Sequence, residues 1–215
     1  WENALPSYLK LAYLPNPGAV RLRLSAYEVE GESVSKEIER QFEALRKIIP
    51  HNIIGYETAT MQELVHKLLT ERGLTLATAE SCTGGSIAAR FTAMPGASAY
   101  FLCGVVSYSN ASKHDILGVA PEVIARHGAV SEEVARRMAE GARRISGADC
   151  AIATTGIAGP AGGSAEKPVG TVWIAVATSH RTTAILKQCG SDRGQIIDRA
   201  SAFAISLLRD ELNGK

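Results

Sequence analysis

Three strand-like runs, each ending in a cluster of polar or glycine residues, constrain the fold of this chain more than any other feature. They cover residues 74–79, 100–109 and 148–155, and stretches with the apolar spacing of helices separate them. The second run is almost continuously apolar, which predicts a strand buried on both faces. Strands that alternate with helices in this way predict an α/β fold.

The segments around these runs predict how the layers are arranged. Thr60 and Glu63 have the spacing of a capping box before an amphipathic helix, and Gly73 is placed to end that helix. Residues 168–177 and 182–189 have the pattern of two antiparallel strands. The sequence therefore predicts a three-layer α/β/α domain with a mixed sheet.

The beginning of the chain differs in composition from the rest, with prolines and a glycine around short segments. Residues 20–26 alternate apolar and polar side chains, which predicts a half-buried strand. A helical pattern follows and ends at Pro50, and residues 53–56 predict a short second strand. We therefore expect a small β-α-β domain over residues 1–58, followed by the larger α/β domain over residues 59–215.

Composition and charge exclude several classes of protein. The apolar share of 46% and the charged share of 21% are typical of globular domains, and a net charge of +1 gives no attraction for nucleic acid or anionic membranes. No apolar run approaches the roughly 20 residues of a membrane span, and without a basic-then-apolar stretch at its start we expect no secretory leader. The four cysteines and five histidines lack metal-ligand spacing. We expect a cytoplasmic protein without a metal or a membrane partner.

The ends of the three strand-like runs carry the groups that could perform chemistry. The carboxyl ends of neighbouring parallel strands meet at one edge of a sheet, so we expect these groups to converge on one pocket. The groups are Glu80, Ser81, Thr83, Gly84 and Gly85 after the first run, Tyr108, Asn110 and Lys113 after the second, and Thr155, Gly156 and Gly159 after the third.

Ser81 is a candidate nucleophile, and a serine needs a base because its hydroxyl is a poor nucleophile when neutral. Lys113 is the preferred base, provided that burial lowers its pKa, and Glu80 or a histidine is a weaker choice. Tyr108 could relay the proton or orient the amine. Backbone N–H groups at residues 83–85 could bind an oxyanion or a phosphate.

A simpler interpretation stays open at this point. Ser81 and Thr83 could serve only as helix caps, because serine and threonine are good capping residues. The glycines at residues 156–163 match neither of the common nucleotide-binding glycine patterns, so this segment could be a surface connection.

Five motifs occupy residues 78–85, 108–113, 127–132, 155–160 and 167–173. In this order they resemble the carboxyl-terminal domain of the CinA (competence/damage-inducible) family, the nicotinamide-nucleotide amidases. The segment before Met61 resembles the small KH-like linking domain of longer CinA proteins.

This resemblance implies hydrolysis of the carboxamide of nicotinamide mononucleotide to nicotinate mononucleotide and ammonia, without a metal or another cofactor. It implies catalytic roles for Ser81 as nucleophile, Lys113 as base, and Tyr108. It also implies that Arg193 reaches the substrate phosphate or a neighbouring subunit, although Ser191 replaces a glycine that is common in the family. We expect the pyridine nucleotide to be bound by Glu80, Thr83, Gly84, Gly85, Asn110, Thr155, Gly156, Gly159 and Arg193.

Two other functions are alternatives to the amidase. The domain could be a nucleotide-binding or regulatory module of a longer CinA protein that has little or no amidase activity. Binding of nucleic acid through the KH-like segment is disfavoured, because residues 1–58 contain no GXXG loop. A small first domain leaves an apolar face to cover, so we expect a homodimer.

Overall fold

The structure is a computed structural model of the whole chain. It divides the chain into two compact units, Trp1–Thr58 and Ala59–Lys215. The structure describes residues 1–16, 19–50, 52–53, 55 and 60–214.

The first unit is a β-hairpin followed by a helix. Strands β1 (Leu9–Asn16) and β2 (Ala19–Ala26) pair antiparallel, and helix α1 (Glu32–Ile48) follows. The strand predicted at residues 20–26 is β2. The predicted order β-α-β missed β1, because a proline near the end of that segment weakens the strand pattern. Two residues of the strand predicted at residues 53–56 lie outside the described residues, and the KH-like resemblance stays a prediction.

The second unit alternates helices and strands, as the sequence predicts. Its capping signals are also present: Thr60 and Glu63 form the capping box, and Gly73 ends the helix in the left-handed region. The elements are α2 (Met61–Arg72), β3 (Leu76–Glu80), α3 (Ser86–Thr92), β4 (Phe101–Val106), α4 (Asn110–Asp115), α5 (Pro121–His127), α6 (Glu132–Ser146), β5 (Cys150–Gly156), β6 (Thr171–Ala177), β7 (Thr182–Gln188) and α7 (Arg193–Leu212).

The five strands of this unit form one mixed sheet in the order β4-β3-β5-β6-β7. Strand β3 pairs parallel with β4 and β5, and the hairpin of β6 and β7 adds antiparallel to β5. Helices α2, α3 and α7 bury apolar side chains such as Leu69, Phe91 and Ile205 on one face. Helix α6 buries Val134 and Met138 on the other face, so the predicted three-layer fold is confirmed.

The position of β4 corrects one prediction from the sequence. Every residue of β3 is buried, whereas burial alternates along β4, and Leu102 and Val106 are each 49% exposed. The prediction that β4 is buried on both faces was therefore wrong. It is an edge strand, and a helix of only seven residues lies over one of its faces. Over the described parts of the chain, none of the helices has the length and apolar character needed to cross a membrane.

Candidate active site

Three hydroxyl side chains lie at the same level of the sheet, at the carboxyl ends of β4, β3 and β5. Glu80 is the last residue of β3 that pairs with both neighbours. Beyond it, the N–H of Ser81 donates to the carbonyl of Thr154 at 3.0 Å, and the N–H of Ser107 donates to the carbonyl of Glu80 at 2.9 Å. The ladder therefore continues for one residue and places Ser107, Ser81 and Thr155 side by side at the carboxyl edge.

Lys113 and Ser81 meet at this edge. The Lys113 Nζ lies 3.0 Å from Ser81 Oγ and 2.9 Å from the carbonyl oxygen of Ser107. Lys113 is 1% exposed and Ser81 is 8% exposed. Burial lowers the pKa of Lys113, because an ammonium loses hydration in this site. A lysine that is more readily neutral, within hydrogen-bond reach of a serine, is the arrangement that a serine nucleophile needs.

Helix α4 brings Lys113 to Ser81. The sequence places Lys113 after the second strand-like run, and the structure shows that it lies within a helix there. The Ser109 hydroxyl accepts from the N–H of Ser112 at 3.0 Å, and the Ser112 hydroxyl accepts from the N–H of Ser109 at 3.1 Å. This reciprocal cap starts the helix directly after the strand exit and turns the chain back toward the sheet.

The Glu80 carboxylate accepts hydrogen bonds from backbone N–H groups at the start of helix α3. Its oxygens accept from the backbone N–H groups of Gly85 and Ile87 at 3.0 Å each and of Ala88 at 2.8 Å, and the side chain has no exposed surface. The predicted substrate contact and the weaker base role have no support in this geometry, because both oxygens are occupied by the helix. A buried carboxylate at this end also offsets the positive end of the helix dipole.

Among the described residues, two of the four backbone amides at residues 82–85 donate hydrogen bonds. The N–H of Gly84 donates to the Ser81 carbonyl at 3.1 Å, and the N–H of Gly85 donates to Glu80. Within the described residues, the N–H of Thr83 has no hydrogen-bond partner. Of the amides predicted at residues 83–85, Thr83 is the one available for an oxyanion.

The two glycines of this loop have different surroundings. Both adopt left-handed backbone conformations, with φ of 60° at Gly84 and 100° at Gly85. A Cβ at Gly84 would meet no atom within 4 Å, so the backbone there is open to a ligand. A Cβ at Gly85 would lie 3.5 Å from the Val106 side chain, which is ordinary contact.

The threonines predicted to line the site are buried and already hydrogen-bonded. The hydroxyls of Thr83 and Thr154 lie 2.7 Å apart, and the Thr155 hydroxyl donates to the carbonyl of Ala129 at 2.7 Å. Thr155 thus holds the turn between α5 and α6 against the sheet edge. Lys167 binds the same turn through the carbonyl of Val130 at 2.8 Å. These contacts position a wall of the site.

Three of the predicted residues meet at a separate, more exposed rim. Arg193, the first residue of α7, donates to the Tyr108 hydroxyl at 2.9 Å and to the carbonyl of Gly159 at 2.7 Å. Tyr108 is 60% exposed. In the described part of the chain, no hydrogen bond joins Tyr108 to Ser81 or Lys113. The structure therefore joins Tyr108 to a guanidinium rather than to the buried amine.

Gly156 and Asn110 lie outside both groups of contacts. A Cβ at Gly156 would lie 2.7 Å from the carbonyl oxygen of Thr171, so this glycine allows the close approach of β5 and β6. Asn110 is exposed and lines a groove between α4 and α5 together with His114 and Ile124. Among the described residues, no hydrogen bond joins Gly156 or Asn110 to Ser81 or Lys113.

Sequence reasoning missed Ser107, and it placed Thr154 at a strand end without giving it a role in the site. Ser107 supplies the carbonyl that holds Lys113, and Thr154 shares a hydroxyl contact with Thr83. Ser107 comes directly before Tyr108, and Thr154 comes directly before Thr155. At both positions the sequence indicates only the end of a strand. The register between neighbouring strands would have found them, because it places Ser107 beside Ser81 and Thr154 beside Glu80.

Cys82, the other nucleophilic side chain in the loop, is 5% exposed. Burial raises the pKa of the Cys82 thiol to about 12, so the thiol stays neutral at ordinary pH. It therefore packs as a small apolar side chain beside Ser81. Among the residues that the structure describes, no three His, Cys, Asp or Glu side chains are grouped as metal ligands.

A family model described as the CinA C-terminal domain matches residues 58–212. This chain belongs to the CinA family. A CinA-like protein from Amoebophilus asiaticus is 40% identical over 215 residues, which are 100% of this chain and 52% of that relative. A CinA-like protein from Chlorobaculum tepidum is 48% identical over 177 residues, which are 82% of this chain and 42% of that relative. The chain thus spans about half the length of the curated relatives it matches.

Solved CinA structures share the fold of this chain. Competence damage-inducible protein A from Klebsiella pneumoniae superposes with a TM-score of 0.69 at 37% identity, covering 71% of this chain and 95% of that one. A competence/damage inducible protein from Agrobacterium tumefaciens gives a TM-score of 0.68 at 40% identity, covering 74% and 99%. The CinA resemblance of the five sequence motifs is confirmed by these matches.

Proposed function

We propose that this CinA domain is an amidase that hydrolyses the carboxamide of nicotinamide mononucleotide to nicotinate mononucleotide and ammonia. The observation that carries the proposal is the buried contact of 3.0 Å between Lys113 Nζ and Ser81 Oγ. A serine with an amine base, at the edge of a sheet where α/β folds bind ligands, supports acyl transfer through a covalent intermediate.

The first half of the proposed reaction forms an ester. Neutral Lys113 takes the proton of the Ser81 hydroxyl while Ser81 Oγ attacks the amide carbon. The carbonyl oxygen becomes an oxyanion, and we assign its stabilisation to the N–H of Thr83, which has no partner among the described residues. The tetrahedral intermediate then collapses, the carbon–nitrogen bond breaks, and the Lys113 ammonium gives its proton to the leaving nitrogen, which departs as ammonia.

The second half releases the acid. Lys113, again neutral, takes a proton from a water molecule that attacks the ester carbon. Collapse of this second intermediate breaks the bond to Ser81 Oγ, and the proton returns to Ser81. Nicotinate mononucleotide leaves, and the Ser81 and Lys113 side chains recover their starting protonation states.

The exposed rim supports recognition of the nucleotide phosphate. Arg193 is a permanent cation, and its Tyr108 and Gly159 partners hold the guanidinium in place. We propose that Arg193 binds the phosphate, with Tyr108 positioning it, while the open backbone at Gly84 lies under the pyridine ring. The activity of the longer CinA proteins is a separate question, since this chain covers about half of them.

Release of ammonia from nicotinamide mononucleotide by the intact chain tests the proposal, with free nicotinamide as the comparison substrate. We expect Ser81→Ala to abolish release and Cys82→Ala to retain most of it, since the two residues are adjacent but only Ser81 contacts Lys113. Undiminished turnover by Ser81→Ala would refute the nucleophile. Binding of the nucleotide to the wild-type chain without any release of ammonia would instead indicate a regulatory module.

A further inference from the structure

The hydroxyl of Ser107 has no hydrogen-bond partner in the described structure, although it is completely buried. Only two side-chain polar atoms of the described residues are in this position, and the other is the hydroxyl of Thr78. An unpaired buried hydroxyl costs free energy, so its presence calls for a physical reason. Unlike Thr78, Ser107 also contacts Lys113, because its carbonyl oxygen accepts from Lys113 Nζ at 2.9 Å.

We infer that Ser107 is a positioning residue whose hydroxyl accepts the third N–H of Lys113 when Lys113 carries the proton of Ser81. This inference deepens the proposed amidase mechanism and rests on it for its catalytic meaning. The acceptor belongs to the same residue that already holds the amine, and it stands beside Ser81 at the edge of the sheet.

Counting donors shows why a third acceptor is needed. A lysine ammonium has three N–H donors and no acceptor. Ser81 Oγ and the Ser107 carbonyl take two of them. Since Lys113 is 1% exposed, bulk water does not supply the third. A hydrogen bond from an ammonium is about twice as strong as one between neutral groups, so the hydroxyl of Ser107 gains most when Lys113 is charged.

The charges near Lys113 make this acceptor more important. The Glu80 carboxylate is committed to the amides of α3, and Lys113 forms no ion pair within the described ranges. Cys82 is the titratable group whose charge bears on Lys113, and burial keeps that thiol neutral. With no carboxylate to offset the ammonium, carbonyl and hydroxyl dipoles must do so.

The main chain of Ser107 is fixed while its side chain is not. Its N–H donates to the Glu80 carbonyl at 2.9 Å, and its carbonyl accepts from Lys113. A rotation about χ1 moves only the hydroxyl, among three staggered positions. The inferred hydrogen bond relies on this rotation rather than on a movement of β4 or α4.

The test compares Ser107→Ala, which removes the hydroxyl, with Ser107→Thr, which keeps it. Thr78→Val is the matched control, because it removes the other unpaired buried hydroxyl without touching Lys113. The titration of Lys113 is followed in the intact chain by NMR of lysine labelled at Cε, with Lys113→Met assigning the signal. We expect a lower Lys113 pKa in Ser107→Ala than in the wild type, Ser107→Thr or Thr78→Val.

Kinetics provide the second measurement. We expect kcat for ammonia release to fall about tenfold in Ser107→Ala, the effect of one hydrogen bond to a charged group. We also expect the acidic limb of kcat/KM against pH to move to lower pH, because the ammonium form loses a partner. A role in packing alone would lower stability without moving this limb in that direction. Ser107→Cys, a weaker acceptor of similar size, replaces the alanine variant if that variant does not fold.

The outcomes separate the two proposals. A Lys113 titration that is the same in Ser107→Ala and in the wild type overturns the inference, whatever the activity. A wild-type chain that releases no ammonia, while Ser107→Ala still lowers the Lys113 pKa, refutes the amidase and leaves the Ser107 contact established.

Discussion

Lys113 Nζ and Ser81 Oγ lie 3.0 Å apart in a site that almost excludes solvent, and they come from different parts of the chain. Ser81 follows β3 directly, whereas Lys113 lies on α4, which follows the edge strand β4 in the chain. The contact therefore depends on the parallel pairing of β3 with β4 and on the cap that starts α4. It also places an ionisable amine where its charge is disfavoured.

Replacing Lys113 with an apolar residue should lower activity and raise stability. We expect Lys113→Met to lower kcat/KM for ammonia release by at least a hundredfold, because general base catalysis is lost. The same variant should unfold at a higher urea concentration than the wild type at pH 7, since burying an ammonium is costly and burying a thioether is not. A variant that loses stability at this pH would contradict the cost assigned to the buried charge.

The stability difference between these two chains should depend on pH with a definite sign. Burial lowers the pKa of Lys113 from its ordinary value of 10.5, so between the lowered pKa and 10.5 the unfolded chain binds more protons at this residue than the folded chain. The stability conferred by the wild-type lysine therefore rises with pH, and the advantage of Lys113→Met should shrink as pH 10.5 is approached. Urea unfolding at several pH values measures this difference, and a constant difference would contradict it.

Activity should follow the same ionisation. Because neutral Lys113 is the base, kcat/KM should rise with pH along an acidic limb whose midpoint lies below 10.5, the ordinary lysine pKa. The Cys82→Ala variant is the control, since its thiol is neutral over this range and the limb should persist. A limb that disappears in this variant would assign the ionisation to the thiol.

The sequence predicted this site because strand ends are recognisable without a structure. Apolar runs that stop at polar residues indicate where strands end, and parallel strands bring those ends together. That reasoning placed Ser81 near Lys113 and Thr155, and the helix caps at Thr60 and Gly73 are likewise as predicted. Local chemistry determines the strand ends and the helix caps.

Features that depend on which strands are neighbours could not be predicted in this way. The apolar run of β4 gives no sign that it lies at the edge, because strand order is set by the packing of the whole sheet. The partners of Glu80 and the position of Ser107 also require a register between elements. The hydroxyl of Tyr108 was expected near the amine, but it meets Arg193, which lies 85 residues later in the chain.

The Glu80 carboxylate should matter for stability more than for contact with substrate. In Glu80→Gln, three backbone N–H groups at the start of α3 lose a charged acceptor. The new side-chain N–H₂ is a donor that faces these donors. We expect a loss of about 2 kcal/mol or more in the free energy of unfolding. Glu63→Gln is the matched control, because Glu63 accepts from the N–H of Thr60 at an exposed helix cap, where glutamine also serves and the loss should be smaller. Urea unfolding of both variants provides the comparison, and equal losses would argue against the role given to burial.

The rim of Arg193 and Tyr108 should control binding of the phosphate. We expect Arg193→Gln to raise KM for nicotinamide mononucleotide about tenfold or more, since a charge-assisted contact is lost, and to leave kcat/KM for the corresponding riboside without phosphate unchanged. Tyr108→Phe should raise KM by a smaller factor, because it removes only a partner of the guanidinium. Arg199→Gln, on the same helix but bound to the carbonyl of Cys189, should leave KM unchanged. Steady-state kinetics on both substrates tests these expectations, and a collapse of kcat with unchanged KM in Tyr108→Phe would return Tyr108 to the role of a proton relay.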